Sequence, residues 1–592
     1  MRRRPAPSQR VDRLVGGLDY VRIWLELLGA PDGLDLAWLP GAAREDARSL
    51  RHGLNGTAVA SPVVARRLKH WGWGYEDEHP SIEELRGAAR FAVERLGFGS
   101  LEPDQPVPLS ELELPPPRLE PPPALREVST DDIYERALHA YGRSYRDIVR
   151  AFRGRFDHPP DLVVYPRNEH DIEAALEWAQ AAGAAVIPFG GGTSVVAGVE
   201  PIVSDGYNGV ITLDLKRLDR VLEVDTISQA ARIQAGALGP GLEEQLADHG
   251  MTLRHFPQSF QFSTLGGWIA TRSGGHFATL YTHIDDFVEA IRAVTPRGVW
   301  ASRRLPGSGA GVSPDRMLIG SEGILGVITE AWVRIRPRPE RRSSAAVQFD
   351  DFAGGVAAAR AISQSGLFPS NCRLIDAQEA KLTGAGDGAH TLLLLGFESA
   401  HHDVDEPMNT ALQICAEHGG QWERRGSDST GSWRAAFLRA PYLRDLFVAI
   451  GVLSETFETA ITWDRFDAFH SSVIQRTSAA VTEACGTGSV TCRFTHVYPD
   501  GPAPYYTVLA PSTPGGELEQ WAQIKRAASD AVIAAGGTIT HHHAVGRDHR
   551  PWYDRQRPDP FAEALKAAKN ALDPDALLNP GVLLDAQSSI RS

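Results

Sequence analysis

The pattern of apolar and polar positions changes at about residue 156, where runs typical of strands begin to alternate with runs typical of helices. Residues 162–165 form an apolar run that predicts a buried strand. Asn168 stands where a helix N-cap is expected, and Gly183 stands where a left-handed C-terminal residue is expected. Between them an apolar face recurs at helical spacing, formed by Ile172, Ala175, Leu176 and Ala179. The pattern therefore predicts a strand followed by a helix.

The same alternation continues through the middle of the chain. Further strands are predicted at 185–187, 210–215, 221–224 and 231–235, with a helix at 242–249. Residues from 340 onward carry helices separated by strands such as 391–397 and 505–509. This mixture predicts an α+β fold with mixed sheets, whose second half is a separate, substrate-facing domain.

The segments before and after this region differ from it in composition and in hydrophobic pattern. Residues 131–151 have the apolar spacing of a single helix, and residues 561–572 have that of an amphipathic helix whose tail could return to the first domain. Residues 102–128 are rich in proline, which favours a semi-rigid connector. The aromatic and glycine block at 71–77 is expected to pack against a neighbouring domain.

A glycine loop, PFGGGTSV at 188–195, follows the strand at 185–187 without a spacer. Three consecutive glycines let the backbone approach a ligand closely, and their N–H groups can converge on phosphate oxygens. The alternative is a tight turn between two strands. Segments 256–276 and 316–339 add hydroxyl groups and a second glycine-flanked turn. Together these segments suit a long ligand such as FAD better than a mononucleotide.

Charge and composition exclude several classes of protein. The formal net charge of −14 argues against non-specific nucleic-acid binding. Four scattered cysteines are too few for a disulfide framework or a zinc site. The chain has neither an apolar run of about 18 residues nor the apolar part of a signal peptide. We therefore expect a cytoplasmic protein, at most peripheral to a membrane.

Six short blocks of the sequence resemble a known family. In chain order, PFGGGTSV, FSTLGGWIATR and GSEGILGVITE resemble flavoproteins of the vanillyl-alcohol-oxidase type, which share a PCMH-type FAD-binding domain. The blocks WGWGYED, YLRD and HHHAVG, at 71–77, 442–445 and 541–546, most resemble alkyldihydroxyacetonephosphate synthases. The resemblance covers roughly residues 60–584.

The resemblance implies a fold and a dissociable FAD. The expected organisation is an N-terminal extension at 1–57, a helical region with the connector at 58–155, a two-subdomain FAD-binding domain at 156–339, an α/β cap at 340–560, and a helical C-terminal segment at 561–592 that returns to the FAD domain. The implied FAD-binding residues are Pro188, Phe189, Gly190, Gly191, Gly192, Thr193, Ser194, Gln258, Ser259, Phe260, Gln261, Phe262, Ser263, Thr264, Thr271, Arg272, Ser273, Gly274, Glu322, Gly323, Ile324, Leu325, Gly326, Val327 and Ile328.

The reaction implied by the resemblance exchanges the acyl group of acyl-dihydroxyacetone phosphate for a long-chain alcohol, without net redox change, through an adduct at the flavin N5. Tyr505 is then the candidate acid/base, and His541, His542 and His543 are candidates for proton abstraction and substrate contact. From the residues alone, a neutral imidazole suits acid/base work, whereas a polar strand end is the alternative. We expect the triplet to continue a strand at 536–540, with alternating side chains that disfavour a metal site.

Three arginines are candidates for binding the substrate phosphate: Arg444, Arg373 and Arg547. A guanidinium binds phosphate through two parallel hydrogen bonds, although a solvated surface position is the usual alternative. The sequence departs from the family at Ala544, where glycine is usual, and at Thr507 and Val508, where aromatic residues are usual. These departures bear on the loop geometry and on the shape of the substrate channel.

Two other functions remain open from the sequence. One is an FAD-dependent oxidoreductase acting on a 2-hydroxy acid or a related alcohol, because a fold does not fix its chemistry. The other is a flavin-binding scaffold that has lost its activity. The expected partners are lipid-like substrates, with a membrane surface touched by the amphipathic stretch at 20–28 or by the cap, and the question of a homodimer is open.

Overall fold

A computed structural model describes residues 66–585, apart from 278, 280, 387 and 423–439. The predicted N-terminal extension at 1–57 and its amphipathic stretch lie outside the described residues. No helix among the described residues is long and apolar enough to cross a membrane.

The helices of the described part of the chain are mostly short. They are α1 (Ile82–Leu96), α2 (Ile133–Leu138), α3 (Tyr145–Phe152), α4 (Glu169–Ala182), α5 (Gly239–Ala247), α6 (Leu265–Thr271), α7 (Asp315–Leu318), α8 (Phe352–Gln364), α9 (Ala377–Thr383), α10 (Asp405–Glu417), α11 (Leu443–Ala449), α12 (Phe466–Cys485), α13 (Glu517–Ala534), α14 (Arg550–Gln556) and α15 (Asp559–Leu572).

The strands of the described residues form three larger sheets and one two-stranded pair. They are β1 (Ser129–Thr130), β2 (Leu162–Val164), β3 (Ala184–Phe189), β4 (Gly209–Asp214), β5 (Val221–Asp225), β6 (Ala230–Gln234), β7 (Met251–Thr252), β8 (Val288–Thr295), β9 (Gly298–Ala301), β10 (Val327–Arg334), β11 (Arg336–Pro337), β12 (Arg341–Phe349), β13 (Asn371–Ile375), β14 (Thr391–Ser399), β15 (Gln421–Trp422), β16 (Val452–Glu458), β17 (Ser489–Val497) and β18 (Pro502–Pro511).

Sheet topology separates the two halves of the chain. The first sheet has the order β1-β2-β4-β3, with parallel pairing of β4 to both β2 and β3. The second is antiparallel with the order β5-β6-β10-β8-β9, and β7 pairs with β11 beside it. The third, in the order β15-β12-β14-β13-β17-β18-β16, is antiparallel and carries the later half of the chain. The predicted α+β fold with mixed sheets is confirmed.

Two apolar cores correspond to these halves. One packs the first two sheets against α4 and α6 and includes Leu578 from the C-terminal tail. The other packs the seven-stranded sheet against α8, α12 and α13 and takes in residues from the N-terminal helices. Trp71 and Trp73 of the aromatic block are 6% and 4% exposed within this second core. The expectation that this block packs against a neighbouring unit is confirmed.

The residues predicted to bound α4 lie at its two ends. Asn168 accepts a hydrogen bond from the backbone N–H of Asp171, and Gly183 ends α4 in the left-handed region with φ of 65°. The helix predicted at 131–151 was wrong, because the chain breaks between α2 and α3. At the break, a Cβ on Gly142 would lie 2.1 Å from the carbonyl oxygen of Ser194, so the chain bends there to meet the glycine loop.

The C-terminal tail runs beside the strand that leads into the glycine loop. The backbone N–H of Val186 donates to Leu577 at 2.8 Å, and the N–H of Asn579 donates to Val186 at 2.9 Å. The Asn579 amide donates to the carbonyl oxygens of Gly198 and Glu322 at 3.0 and 2.7 Å. The tail thereby ties the strand, the glycine loop and the second glycine turn together.

Candidate active site

The glycine loop lies against the segment that was expected to share its ligand. A Cβ on Gly190 would lie 2.3 Å from Thr264 Oγ1, and one on Gly191 would lie 1.7 Å from the carbonyl oxygen of Phe262. Gly192 has φ of 65°, a conformation that side chains disfavour. Only glycine therefore allows these two backbones to meet, and their N–H and hydroxyl groups line a concave surface suited to a pyrophosphate.

One cavity of about 320 Å³ extends from the glycine loop to the third sheet. Of the predicted FAD-binding residues, those that line it are Gly190, Gly191, Gly192, Thr193, Ser194, Gln258, Ser259, Ser263, Thr264, Thr271, Ser273 and Gly274. The remaining predicted ones, Pro188, Phe189, Phe260, Gln261, Phe262, Arg272, and the stretch from Glu322 to Ile328, lie outside its lining. The glycines, hydroxyls and closely packed backbones of the lining fit FAD.

Glu322 lies outside the cavity lining and holds the loop that follows the histidine triplet. Its carboxylate accepts the backbone N–H groups of Val545 and Gly546 at 2.9 and 2.8 Å. Burial raises the pKa of Glu322 to about 7, against these two hydrogen bonds, which lower it. Although Glu322 was predicted to contact FAD, its side chain anchors the loop that follows the histidine triplet.

The far wall of the cavity is one face of the seven-stranded sheet. In register across β16, β18 and β17 lie Glu458, Tyr505 and Arg493, and the next row on that face is Thr456, Thr507 and Thr491. Residues in one cross-strand row of a sheet point to the same side. All of these except Glu458 line the cavity. The substrate end of the cavity is thus built on rigid strands and is rich in hydroxyl groups.

Tyr505 and Tyr506 occupy opposite faces of β18, as their adjacency predicts. Tyr505 is 4% exposed and lines the cavity, and the Arg493 guanidinium carbon lies 3.9 Å from its ring centroid. Arg493 also donates to Glu379, which neutralises part of its charge. Tyr506 packs in the core against Phe457, at 4.9 Å between ring centroids. Only Tyr505 is therefore placed to contact a ligand.

The histidine triplet does not continue a strand, so the strand predicted at 536–540 was wrong. The chain turns there around Glu458, whose side chain is 1% exposed. Its carboxylate accepts the backbone N–H groups of His541, His542 and His543 at 2.6, 3.1 and 2.9 Å. Three adjacent amides bound by one carboxylate cannot keep the alternation of a strand. As a result, His542 and His543 both line the cavity.

Burial keeps the triplet neutral. It lowers the pKa of His542 and of His543 to about 3, with further lowering by nearby cationic groups. Burial also moves the pKa of His541 well below its ordinary value, helped by the surrounding imidazoles. A neutral imidazole keeps one ring nitrogen free to accept a proton. The triplet can therefore act as a base at neutral pH.

A fourth histidine, His496, lies against the triplet. Ring nitrogens of His496, His541 and His542 come within 4.8 Å of one another, a spacing that one metal ion could bridge. The alternation of a strand, which disfavours a metal site, is absent from the triplet. In the structure three of these ring nitrogens already have partners. His496 Nε2 lies 2.7 Å from the Gly275 carbonyl oxygen, and His541 Nδ1 lies 3.0 Å from His542 Nδ1.

The three candidate arginines differ in their surroundings. Arg444 lines the cavity and donates to the carbonyl oxygen of Arg143 at 2.8 Å, while its buried Nε has no hydrogen-bond partner among the described residues. Arg373 also lines the cavity and is 1% exposed, and burial lowers its pKa to about 9. Arg547 donates to the carbonyl oxygens of Ala197, Ile202 and Pro580 and does not line the cavity.

Sequence reasoning missed Glu458, Arg493, His496 and Glu379. Glu458 lies 83 residues before the loop that it holds, and no local pattern marks it. Arg493 and His496 lie within the run TCRFTHVY at 491–498. If residues 489–497 form a strand, Arg493 and Thr491 lie on the same face of it. This alternation is the sequence signal from which Arg493 could have been predicted.

Comparison with known proteins agrees with this geometry. The FAD binding domain family matches residues 160–302, and the family of C-terminal domains of FAD linked oxidases matches residues 338–583. An alkyldihydroxyacetonephosphate synthase of Trypanosoma brucei brucei is 32% identical over 511 residues, covering 80% of this chain and 82% of that protein. One of Dictyostelium discoideum is 29% identical over 480 residues, covering 77% and 78%.

A solved structure of an alkyldihydroxyacetonephosphate synthase superposes with a TM-score of 0.72 at 25% identity, covering 87% of this chain and 98% of that one. The fold and the cavity define an FAD-dependent enzyme of the FAD-linked oxidase class. Within that class, the chain belongs to the alkyldihydroxyacetonephosphate synthase family.

Proposed function

We propose that the protein is an FAD-dependent alkyl transferase that converts acyl-dihydroxyacetone phosphate and a long-chain alcohol into alkyl-dihydroxyacetone phosphate and a fatty acid. The observation that carries the proposal is that the FAD-cradling loops, Tyr505, His542, Arg373 and Arg444 line one cavity. Bound FAD supplies the covalent chemistry of the exchange. The residues of the chain bind and orient the substrates and handle protons.

The phosphate of the substrate is assigned to Arg444, and Arg373 also lines the cavity. Arg444 makes no ion pair with any described residue, so its charge is available to an anion. Arg493 suits this role less well, because Glu379 already pairs with it. A guanidinium–phosphate contact inside such a cavity is stronger than one in water.

Apolar residues line the remainder of the cavity and suit an alkyl chain. They are Leu96, Leu382, Pro441, Leu443, Phe447 and Leu509. A small 2-hydroxy acid would leave this surface uncovered, whereas a fatty chain would bury it at about 25 cal/mol per Å². This apolar part favours a lipid over a small polar substrate.

Proton handling is assigned to His542 and Tyr505. The exchange breaks the carbon–oxygen bond to the acyl group, which leaves as a carboxylate, and it forms a carbon–oxygen bond to the alcohol, which loses its proton. At neutral pH each turnover therefore releases one proton. His542, neutral and facing the cavity, is the proton acceptor. The Tyr505 hydroxyl, which makes no hydrogen bond to a described residue, assists departure of the carboxylate.

The test supplies FAD-loaded protein with acyl-dihydroxyacetone phosphate and a radiolabelled fatty alcohol. The expected products are labelled ether and free fatty acid in equal amounts, with no lasting change in the flavin spectrum. Arg444→Gln should raise the KM for the phosphate substrate at least tenfold, whereas R126Q, at an exposed position, should leave it unchanged. If no ether forms and a 2-hydroxy acid bleaches the flavin under anaerobic conditions, the protein is an oxidoreductase instead.

The substrates also imply a membrane contact, because a long-chain alcohol is nearly insoluble in water and must be taken from a lipid surface. Flotation with phosphatidylcholine vesicles containing the alcohol should recover the protein in the lipid fraction, and recovery only in the soluble fraction would contradict the contact.

The homodimer stays a prediction. Light scattering, which measures the molar mass in solution, can test it.

A further inference from the structure

Three imidazole rings form a continuous chain from the cavity towards the protein exterior. His542 lines the cavity, and its Nδ1 lies 3.0 Å from His541 Nδ1. His541 Nε2 lies 3.0 Å from His283 Nε2, and His283 Nδ1 lies 3.2 Å from the Arg272 carbonyl oxygen. Neither His541 nor His283 lines the cavity. The row of imidazole rings therefore passes through the cavity wall and ends at the half-buried His283.

The carbonyl group at the outer end determines where each ring carries its hydrogen. A carbonyl oxygen can only accept, so His283 Nδ1 must donate to Arg272, and the Nε2 of neutral His283 must accept. His541 then donates from Nε2 and accepts at Nδ1, and His542 donates from Nδ1. The Nε2 of His542 is left without a hydrogen, and no described residue donates to it.

Glu458 favours the same arrangement at the inner end. Its Oε2 lies 3.4 Å from His542 Nδ1, and a carboxylate oxygen that already accepts two amide N–H groups favours a hydrogen on that nitrogen. The Tyr498 hydroxyl lies 2.7 Å from His541 Nε2. A hydroxyl can both donate and accept, so it can stabilise His541 whichever nitrogen bears the hydrogen. His541, the middle ring of the three, can therefore exchange protons at either nitrogen.

The charges around the chain keep all three rings neutral, as this arrangement requires. Burial lowers the pKa of His283, and of His542 to about 3. Arg493 and Arg373 act in the same direction on the pKa of His542. On His283, Asp285 and Asp286 raise the pKa and the Arg272 guanidinium lowers it. The outer end is therefore the easier one to protonate, which favours outward transfer.

We infer that His283 and His541 are positioning residues for His542, which hold its Nε2 ready to accept a proton and carry that proton out of the cavity. The inference rests on the proposed function, in which each turnover releases one proton into a cavity filled by FAD and lipid chains. When His542 Nε2 takes the proton, His542 Nδ1–H passes to His541, and His541 Nε2–H passes to His283. His283 then bears a hydrogen on both ring nitrogens, and it releases one of them to solvent when its ring turns away from the Arg272 carbonyl oxygen. Rotation of the rings then restores the starting arrangement.

Replacing His283 tests the relay. In the FAD-loaded enzyme, His283→Ala should lower kcat about tenfold and leave the KM for the phosphate substrate within twofold. Added imidazole should restore kcat in His283→Ala, because it can occupy the vacated space. His283→Phe should be equally slow without rescue, because its ring fills that space and has no nitrogen. H249A, which removes an exposed histidine, should behave as wild type.

A second measurement does not depend on activity. Nitrogen-15 NMR of histidine-labelled, FAD-loaded protein should show His542 with its hydrogen on Nδ1, and the signal should shift in His283→Ala. The inference is overturned by a hydrogen on Nε2 of His542, by wild-type kcat in His283→Ala, or by a stoichiometric metal ion that is lost in His541→Gln. If wild-type protein makes no ether but the NMR result holds, the proposed function fails and the tautomer arrangement stands.

Discussion

Gly191→Ala should weaken FAD binding strongly, because the added methyl group meets backbone rather than a side chain that can move. The new Cβ would lie 1.7 Å from the carbonyl oxygen of Phe262, 2.7 Å from its carbonyl carbon and 2.9 Å from Ser263 Cα. Non-bonded heavy atoms prefer about 3.5 to 4.0 Å. The glycine loop and the 258–264 segment must therefore separate by well over 1 Å, although both line the FAD end of the cavity.

The size of the effect follows from this displacement. Overpacking of a closely packed site costs about 1 to 3 kcal/mol. If this free-energy cost destabilises the FAD-bound protein and not the free protein, it weakens FAD binding by about 5- to 150-fold. Because the contact is between two backbones, we expect the upper end of that range. The global fold should persist, since the apolar core beneath the loop is unchanged.

Titration of apo-protein with FAD, followed by the change in flavin fluorescence, measures the dissociation constant. Gly241→Ala is the matched control, because a Cβ there meets nothing within 4 Å. Its affinity should match that of the wild type. A Gly191→Ala protein that binds FAD within twofold of the wild type would refute the assignment of this loop as the cofactor cradle.

Three further predictions concern the histidine loop. Ala544 has φ of 71° where the family usually has glycine, so Ala544→Gly should raise the free energy of unfolding in urea by about 1 kcal/mol, and a decrease would contradict the strain. Glu458→Gln places an amide N–H against backbone N–H donors, so kcat should fall at least tenfold with FAD still bound, whereas Glu94→Gln at an exposed position should have no effect. The pKa of His543 is lowered to about 3 in the folded state, so the unfolded state binds more protons below pH 6.5 and stability falls as the pH falls. From pH 7.5 to 5.5 the wild type should lose about 1 kcal/mol more than His543→Gln in urea unfolding, and equal losses would contradict the shift.

Local signals allowed the strand, helix and glycine loop of the FAD region to be predicted, because each is specified by adjacent residues. Asn168 and Gly183 mark the ends of α4 through their own backbone preferences. The break between α2 and α3 could not be predicted in this way. It depends on the contact between Gly142 and Ser194, which are 52 positions apart, and the apolar spacing of the segment continues through it. A tertiary contact there overrides a helical pattern.

At the candidate site, too, the sequence predicts local alternation but not the tertiary contacts that decide which residue faces the ligand. Alternation along β18 establishes that Tyr505 and Tyr506 face opposite sides, but not which of them faces the ligand. That choice depends on the register of β16 and β17, because a slip by one residue would turn Tyr506 to the cavity. The observed register pairs Tyr505 with both Glu458 and Arg493. It therefore brings together the residue that holds the histidine loop, the candidate acid/base and the cation beneath its ring, although α12 separates Glu458 from the other two in sequence.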